Sequence, residues 1–176
     1  WAHLEKYEKN TGGEVLAIPH NSNMSGGVMF ALQNAKGLPL STPYAKLRSR
    51  WEPLLEVTQI KGDSETHPLL SPADEFADFE TWVRESENKK KPGYADYDTW
   101  ISKNQKENNG NGWMRRYEYA RAALGLGLEQ QAKLGINPFK FGMIGSTDAH
   151  TSLAAVDENN FWGKFSVHEP NARRSS

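Results

Sequence analysis

Three short apolar runs, each following a stretch with helical spacing, constrain the fold of this chain more than any other feature. They span residues 14–18, 54–60 and 139–144. Apolar runs of this length are typical of buried strands, and strands that alternate with helices favour parallel pairing through helical crossovers. The sequence therefore predicts an α/β fold in which the three strands end at the same edge of one sheet.

Capping signals mark the helical stretches between these runs. The pair Thr42-Pro43 is an N-cap followed by proline, and Ser71-Pro72 repeats that signal before a helix whose apolar face would contain Phe76 and Phe79. Gly135 is expected to end the longest helix. The predicted helices span residues 1–11, 42–52, 71–83 and 113–134.

Three segments lack a clear period. Within residues 24–41, the stretch Met24 to Ala35 is compatible with a helix or a lid loop, and Gly26-Gly27 argues against a regular helix start. Residues 84–112 are predicted to form a polar insertion. Its lysine run is either a solvated face or a contact for an anionic substrate. Residues 156–176 are predicted to form an irregular C-terminal extension.

The composition excludes several classes of protein. The formal net charge is −1, which lacks the basic excess of a nucleic-acid-binding surface, and without cysteine there is no disulfide or thiolate metal site. No apolar run approaches the roughly 18 residues of a membrane-spanning helix. We therefore expect a soluble protein of the cytoplasm or periplasm, with no nucleic-acid or membrane partner. Because the chain begins at Trp1, we expect a piece of a longer protein.

The third apolar run leads into Gly-Ser-Thr and then into Asp148 and His150, two positions apart. Side chains at positions i and i+2 of an extended segment point the same way, so this carboxylate and imidazole would meet above the strand end. Such a pair is a set of metal ligands, an acid–base pair, or a capped turn in which Asp148 accepts a backbone amide.

The other two runs also lead into polar side chains. His20 follows the first run, and Glu65 lies just past the second, which carries Glu56 in its interior. Because the carboxyl ends of parallel strands share one edge, we expect these groups to lie near Asp148 and His150. A buried carboxylate such as Glu56 needs a cation or several hydrogen-bond donors.

This convergence at one sheet edge defines a candidate metal site. The residues at the strand ends are the predicted metal ligands: His20, Glu65, Asp148 and His150. Imidazole and carboxylate ligands without sulfur suit zinc, manganese or iron, and such metals activate water for hydrolysis. Asp148 and His150 are also the predicted catalytic residues. Three flanking polar residues are predicted to contact a small-molecule substrate: Asn21, Asn23 and Ser146.

The motifs around these residues resemble the later motifs of the PHP superfamily (polymerase and histidinol phosphatase). They are Ile18-Pro19-His20-Asn21, Leu55-Glu56-Val57, Lys61-Gly62-Asp63-Ser64-Glu65 and Gly145-Ser146-Thr147-Asp148-Ala149-His150. The likeness is to an uncharacterised bacterial branch, a domain of unknown function, and covers residues 14–155. It implies a distorted, TIM-like seven-stranded β/α barrel with two or three metals and, in many members, phosphoester hydrolysis. His20, Asp148 and His150 match family metal-binding positions, and Glu65 lies near another.

The chain departs from the family pattern at its beginning. Family members begin with a His-x-His motif, which is missing among the five histidines of this chain. Three strands cannot close a seven-stranded barrel. We therefore expect residues 1–155 to be the C-terminal portion of such a domain, with its N-terminal strands missing. A second copy of the chain, or the upstream half of the domain, would then cover the exposed strand edges.

Two classes of function are compatible with these residues. The first is a metal-dependent hydrolase, a phosphoesterase acting on a small phosphorylated substrate in the intact parent protein. The alternative is a non-catalytic, degenerate or ligand-binding domain. One version of it binds a glycan or small anion through tryptophans: Trp51, Trp82, Trp100 and Trp113. Metal affinity and turnover distinguish these classes.

Overall fold

The computed structural model describes residues 1–59, 62–79, 113–150 and 159. In chain order, the regular elements of these ranges are α1 (Ala2–Thr11), α2 (Thr42–Trp51), β1 (Leu54–Gln59), β2 (Gly62–Asp63), α3 (Ala120–Leu134) and β3 (Gly142–Gly145). Two 3₁₀ turns span Ser22–Met24 and Trp113–Tyr117. The predicted insertion at 84–112 lies outside the described residues, as does the predicted extension at 156–176 apart from residue 159.

β1 is the central strand of a sheet with the order β2–β1–β3. β3 pairs with it in parallel, from Leu54 opposite Gly142 to Thr58 opposite Gly145, with an irregularity just before Thr58. β2 folds back antiparallel against the end of β1, a strand that the sequence did not predict. The parallel β1–β3 pair, in a chain of mixed helices and strands, confirms the predicted α/β class.

The helix ends follow the capping signals in the sequence. α1 ends at Gly12, which takes a left-handed conformation with φ 71°, and α3 ends in the same way at Gly135 with φ 75°. Glycine adopts this conformation at little steric cost. The N-cap of α2 is Ser41, whose side chain accepts the Tyr44 amide, and the predicted N-cap Thr42 is instead the first residue of the helix, which ends before Pro53. These boundaries confirm the predictions for α1, α2 and the end of α3.

The prediction of a strand at residues 14–18 is wrong. The segment lies beside β1, where the Ala17 amide donates to the Trp51 carbonyl at 2.7 Å and the Glu56 amide donates to the Pro19 carbonyl at 3.0 Å. These bonds are two residues apart on one segment (17 to 19) and five apart on the other (51 to 56), so no regular ladder forms. Proline also lacks the amide hydrogen that a ladder needs.

Residues 71–79 form consecutive turns instead of the predicted helix. The Asp74 carboxylate accepts the Phe76 amide at 2.9 Å, and the Ser71 hydroxyl is bonded to a neighbouring threonine at 2.7 Å. Short polar side chains that bond nearby groups in this way compete with a helix. Phe76 and Phe79 are consequently 70% and 66% exposed, although the prediction placed them in the core. The rest of that predicted helix, residues 80–83, lies outside the described ranges.

The long helix predicted at 113–134 begins only at Ala120, after a 3₁₀ turn. Its first amides are bound by backbone carbonyls of the segment after β2: Ala120 donates to Ser64 at 2.9 Å and Arg121 to Glu65 at 3.0 Å. The first amides of a helix have no partner within it, so these two carbonyls fix where α3 starts.

Residues 25–40 form a loop, which decides between the two predicted alternatives for this part of the chain. The loop contributes Phe30 to the core, where its ring meets Phe139 edge-on at a centroid distance of 5.5 Å. Leu55 of β1 and Leu126 of α3 belong to the same buried cluster. The core therefore lies between the sheet, α3 and this loop. Within the described ranges, no helix is both long enough and apolar enough to cross a membrane.

Candidate functional site

Two residues from distant parts of the chain, His20 and Ser146, both approach the carboxylate of Glu56 on β1. Its Oε1 accepts a hydrogen bond of 2.6 Å from the Ser146 hydroxyl, and its Oε2 lies 3.8 Å from Nδ1 of His20. The Glu56 side chain is 10% exposed, whereas that of His20 is 59% exposed. A nearly buried carboxylate thus faces an accessible imidazole across a gap longer than a hydrogen bond.

Backbone contacts to β1 bring both partners to Glu56. The Pro19 carbonyl accepts the Glu56 amide at 3.0 Å. This bond places His20, the next residue along the chain, beside Glu56. The Ser146 amide donates to the Thr58 carbonyl at 3.0 Å, just after β3 ends. The parallel β1–β3 pairing and the docked 14–19 segment therefore place the His20 and Ser146 side chains at Glu56.

Asp148 and His150 form a second pair. Nε2 of His150 lies 2.9 Å from Oδ1 of Asp148, with side-chain exposures of 50% and 12%. Asp148 takes a left-handed conformation with φ 53°, so the segment turns here instead of staying extended. The two side chains converge as predicted, but a turn brings them together and not strand alternation. Ser146, which contacts Glu56, lies two residues before Asp148 and joins the two pairs.

Glu65, the fourth predicted ligand, lies in an ion pair. Its Oε1 accepts from Nη2 of Arg121 at 2.6 Å and from Nε of Arg121 at 2.9 Å. The same guanidinium donates to the Asp74 carboxylate at 2.5 Å. Asp63, whose side chain accepts the Glu65 amide at 2.6 Å, has a pKa that burial raises above its ordinary value. Glu65 therefore has a cationic partner of its own, and its role as a metal ligand stays a prediction.

The two asparagines predicted to contact substrate have different surroundings. Asn21 has a left-handed conformation with φ 51°, and its side-chain oxygen accepts from the Gln59 amide group. Asn23 is only 4% exposed, and its side-chain oxygen accepts from the Ser64 hydroxyl at 2.8 Å. Asn21 therefore anchors the backbone beside His20, and Asn23 ties this segment to the end of β2. Whether either contacts substrate stays a prediction.

The donor atoms within each pair do not have the spacing of two ligands bound to one divalent metal. Neighbouring ligands of one metal at bond lengths of about 2.1 Å lie roughly 3.0 to 3.4 Å apart. The observed separations are 3.8 Å for His20 and Glu56 and 2.9 Å for His150 and Asp148. In the described ranges no group of three or more histidine or carboxylate side chains is close enough to hold a metal. Metal binding by either pair therefore stays a prediction.

Sequence reasoning identified Glu56 as a carboxylate in need of a partner but left it out of the predicted ligands. The signal was its position inside an apolar strand. The identity of the partners was not readable, because His20 and Ser146 lie 36 residues before and 90 residues after it. Glu56 is the residue that the structure adds to the candidate site.

The tryptophans proposed for glycan binding receive no support from the described residues. Trp51 is 1% exposed, with the Arg50 guanidinium 4.4 Å from the centre of its ring, so it cannot stack on a sugar. Trp82 and Trp100 lie outside the described ranges, and Trp113 begins the second 3₁₀ turn.

Comparison with known proteins gives one match. The model of a family described as "Protein of unknown function (DUF3604)" matches residues 1–176, which is the whole of the chain given. Among curated proteins there is no match, and among solved structures there is none either.

Proposed function

This chain belongs to the DUF3604 family of proteins of unknown function, and we propose that it is part of a metal-dependent hydrolase that cleaves phosphoesters. One observation carries the proposal. His20 and Ser146, from segments far apart in sequence, meet at the nearly buried carboxylate of Glu56, and the Asp148–His150 pair follows directly. An imidazole and carboxylates close to a pair of parallel strands suit a hydrolytic metal site.

The proposed metal ligands are His20, Glu56, Asp148 and His150. Zinc, manganese or iron would lower the pKa of a bound water and stabilise negative charge on the phosphoryl oxygens. The resemblance to the PHP superfamily supports this choice, and it also supports a larger β/α barrel around the β1–β3 pair. Donors outside the described residues, or on a second polypeptide, would complete the ligand set.

The protein's own groups have distinct tasks in this proposal. The Ser146 hydroxyl holds Oε1 of Glu56 at 2.6 Å and so directs Oε2 towards His20. Oδ1 of Asp148 orients the His150 ring at 2.9 Å, and its Oδ2 would orient the attacking water. The exposed side of His20, together with Asn21, would face the phosphoester.

Metal titration of ligand variants tests the proposal. We expect Zn²⁺ or Mn²⁺ to bind the chain, and His20→Ala, Glu56→Gln and Asp148→Asn each to weaken binding by at least about tenfold. His3→Ala is the matched control, since His3 is an exposed histidine on α1. Equal affinity in all four variants would exclude this ligand set.

Turnover is measured separately with 4-nitrophenyl phosphate and bis(4-nitrophenyl) phosphate at saturating metal. We expect hydrolysis by the metal-loaded chain and its loss in Asp148→Asn. If metal binds through these residues but neither ester is cleaved, the hydrolase part of the proposal fails and metal binding remains.

The alternative is a non-catalytic, ligand-binding domain, and one observation favours it. The Arg121 guanidinium binds both Glu65, a predicted ligand, and Asp74 of the polar turn. A carboxylate that already has a guanidinium partner gains less from binding a cation. Weak metal binding, unaffected by the ligand variants and without turnover, would support this alternative.

A further inference from the structure

A second buried carboxylate, Glu118, lies far along the chain from the residues of the candidate site. It follows the 3₁₀ turn at Trp113–Tyr117 and is 2% exposed. Its Oε1 accepts the backbone amide of Gly27 at 3.0 Å, and the Gly26 amide helps to lower the pKa of this carboxyl group. A carboxylate at the start of a helix and a loop 91 residues earlier are thus bonded to each other.

The loop is shaped to receive this carboxylate. Gly26 and Gly27 both take left-handed conformations, with φ values of 64° and 81°. Successive amides in a tight turn form a concave anion-binding surface. A Cβ on Gly27 would lie 3.1 Å from the Cβ of Met114 and 3.2 Å from its Cα, so a side chain does not fit there. The glycine pair therefore lets the Gly27 amide approach Glu118 closely.

The same loop continues the segment that carries His20. Asn23 is bonded to Ser64 at 2.8 Å, and the Phe30 amide donates to the Tyr117 carbonyl at 2.9 Å. The contact between Gly27 and Glu118 lies between these two attachments in sequence. Of these three attachments, the contact at Glu118 differs from the others because its acceptor, a carboxylate, is titratable.

We propose that Glu118 is a proton-operated clasp on the Gly26–Gly27 turn, so that its protonation state sets how firmly residues 21–29 are held. When ionised, the carboxylate accepts the Gly27 amide in a charge-assisted hydrogen bond. When protonated, the carboxyl group accepts that amide only as a neutral and weaker partner. The turn then loses a charge-assisted hydrogen bond.

The surroundings of Glu118 place this change near neutral pH. Burial raises the pKa of its carboxyl group to about 7, while the Gly27 amide, the Arg115 guanidinium and the Gly26 amide each act to lower it.

Other titratable groups lie close by. Burial raises the pKa of the neighbouring Tyr119, so this phenol stays neutral. The Tyr119 ring packs on His67 at a centroid distance of 5.6 Å. Asp63 is electrostatically coupled to Tyr119, and burial raises its pKa too.

NMR titration of the 176-residue chain between pH 5 and 9 tests the clasp. In the wild-type chain we expect the amide signals of Gly26 and Gly27 to shift with a midpoint near pH 7. Below that midpoint their hydrogen exchange, corrected for the intrinsic rate, should become roughly ten- to a hundredfold less protected, the loss of one charge-assisted hydrogen bond. Glu118→Gln should abolish both effects, and Glu129→Gln, at an exposed glutamate of α3, should leave them unchanged.

The carboxyl ¹³C signal of Glu118 keeps the proposal open to disproof even if Glu118→Gln does not fold. A midpoint below pH 5 for that signal would overturn the clasp. So would glycine signals that titrate alike in wild type and Glu118→Gln. These readouts need neither metal nor substrate, so they are independent of the proposed hydrolase activity.

Discussion

The hydroxyl of Ser146 donates a hydrogen bond of 2.6 Å to the carboxylate of Glu56. This contact links the residue after β3 to the interior of β1, across 90 positions of sequence. It gives a nearly buried negative charge one of the donors that such a charge requires. The end of β3 and the charge on β1 therefore depend on each other.

Replacing Ser146 with alanine should destabilise the fold by about 1–3 kcal/mol, because Glu56 would lose a donor while remaining buried. Glu56→Gln, whose amide oxygen can still accept from Ser146, should cost less. Urea denaturation of both single variants and the double variant measures the coupling between them. Additive effects, with no coupling above about 0.5 kcal/mol, would show that the hydrogen bond contributes little.

Replacing each of two glycines of α3 with alanine should change the stability of the fold in opposite directions. A Cβ on Gly127 would lie 2.2 Å from Oδ1 of Asn137, an atom held in place by the Phe139 amide at 2.8 Å. We expect Gly127→Ala to destabilise the fold by about 1–3 kcal/mol through overpacking. Gly125 has open space around it, so Gly125→Ala should stabilise the helix by up to about 1 kcal/mol. Thermal melts of the pair provide the comparison, and stabilisation by both would contradict it.

Glu118 should make stability depend on pH in a direction opposite to that of most carboxylates. Its pKa rises from 4.5 in a solvated chain to about 7 in the fold, chiefly by burial. Between these values the folded state holds more protons than the unfolded state, so the contribution of Glu118 to the free energy of unfolding is greatest below pH 4.5 and falls as pH rises to 7. The loss is on the order of 3 kcal/mol. The local hydrogen bond from Gly27 has the opposite dependence, because protonation weakens it while Glu118 stays buried.

Urea denaturation of wild type and Glu118→Gln at pH 5, 6, 7 and 8 isolates this contribution. The difference in unfolding free energy between the two chains should change steadily up to pH 7 and then level off. Glu129→Gln serves as the exposed control. A difference that is the same at every pH would contradict the raised pKa.

Glu65→Gln should have little effect on stability. The Glu65 and Arg121 side chains are 49% and 45% exposed, and exposed ion pairs contribute less than about 1 kcal/mol. We also expect the Glu65→Gln chain to bind metal as tightly as the wild-type chain, in contrast to His20→Ala. Calorimetric titration with Zn²⁺ makes the comparison, and a tenfold loss of affinity in Glu65→Gln would restore Glu65 to the ligand set.

The sequence predicted those features that depend on neighbouring residues. Proline and glycine signals gave the ends of α1 and α2, and a β-branched apolar run gave β1. The pairing of Asp148 with His150 was also predictable, since the two residues are close in sequence. The turn that brings them together was not, because the left-handed conformation of Asp148 is set by its surroundings.

Features that depend on distant contacts were not predictable from local patterns. Ser71 and Asp74 are good helix-start residues, yet the Asp74 side chain bonds the Phe76 amide and also binds the distant Arg121. Similarly, the pattern at 113–134 is helical throughout. The helix nevertheless starts at Ala120, where carbonyls from another segment meet its first amides.

The carbonyls of Ser64 and Glu65 that bind the first amides of α3 have a consequence for how the protein folds. The residues that they join are 56 positions apart, so the native start of α3 requires closure of a long loop. Contacts of such long range form slowly. The C-terminal turns of α3 can therefore form early from local interactions, while its first turn waits for the segment after β2 to arrive.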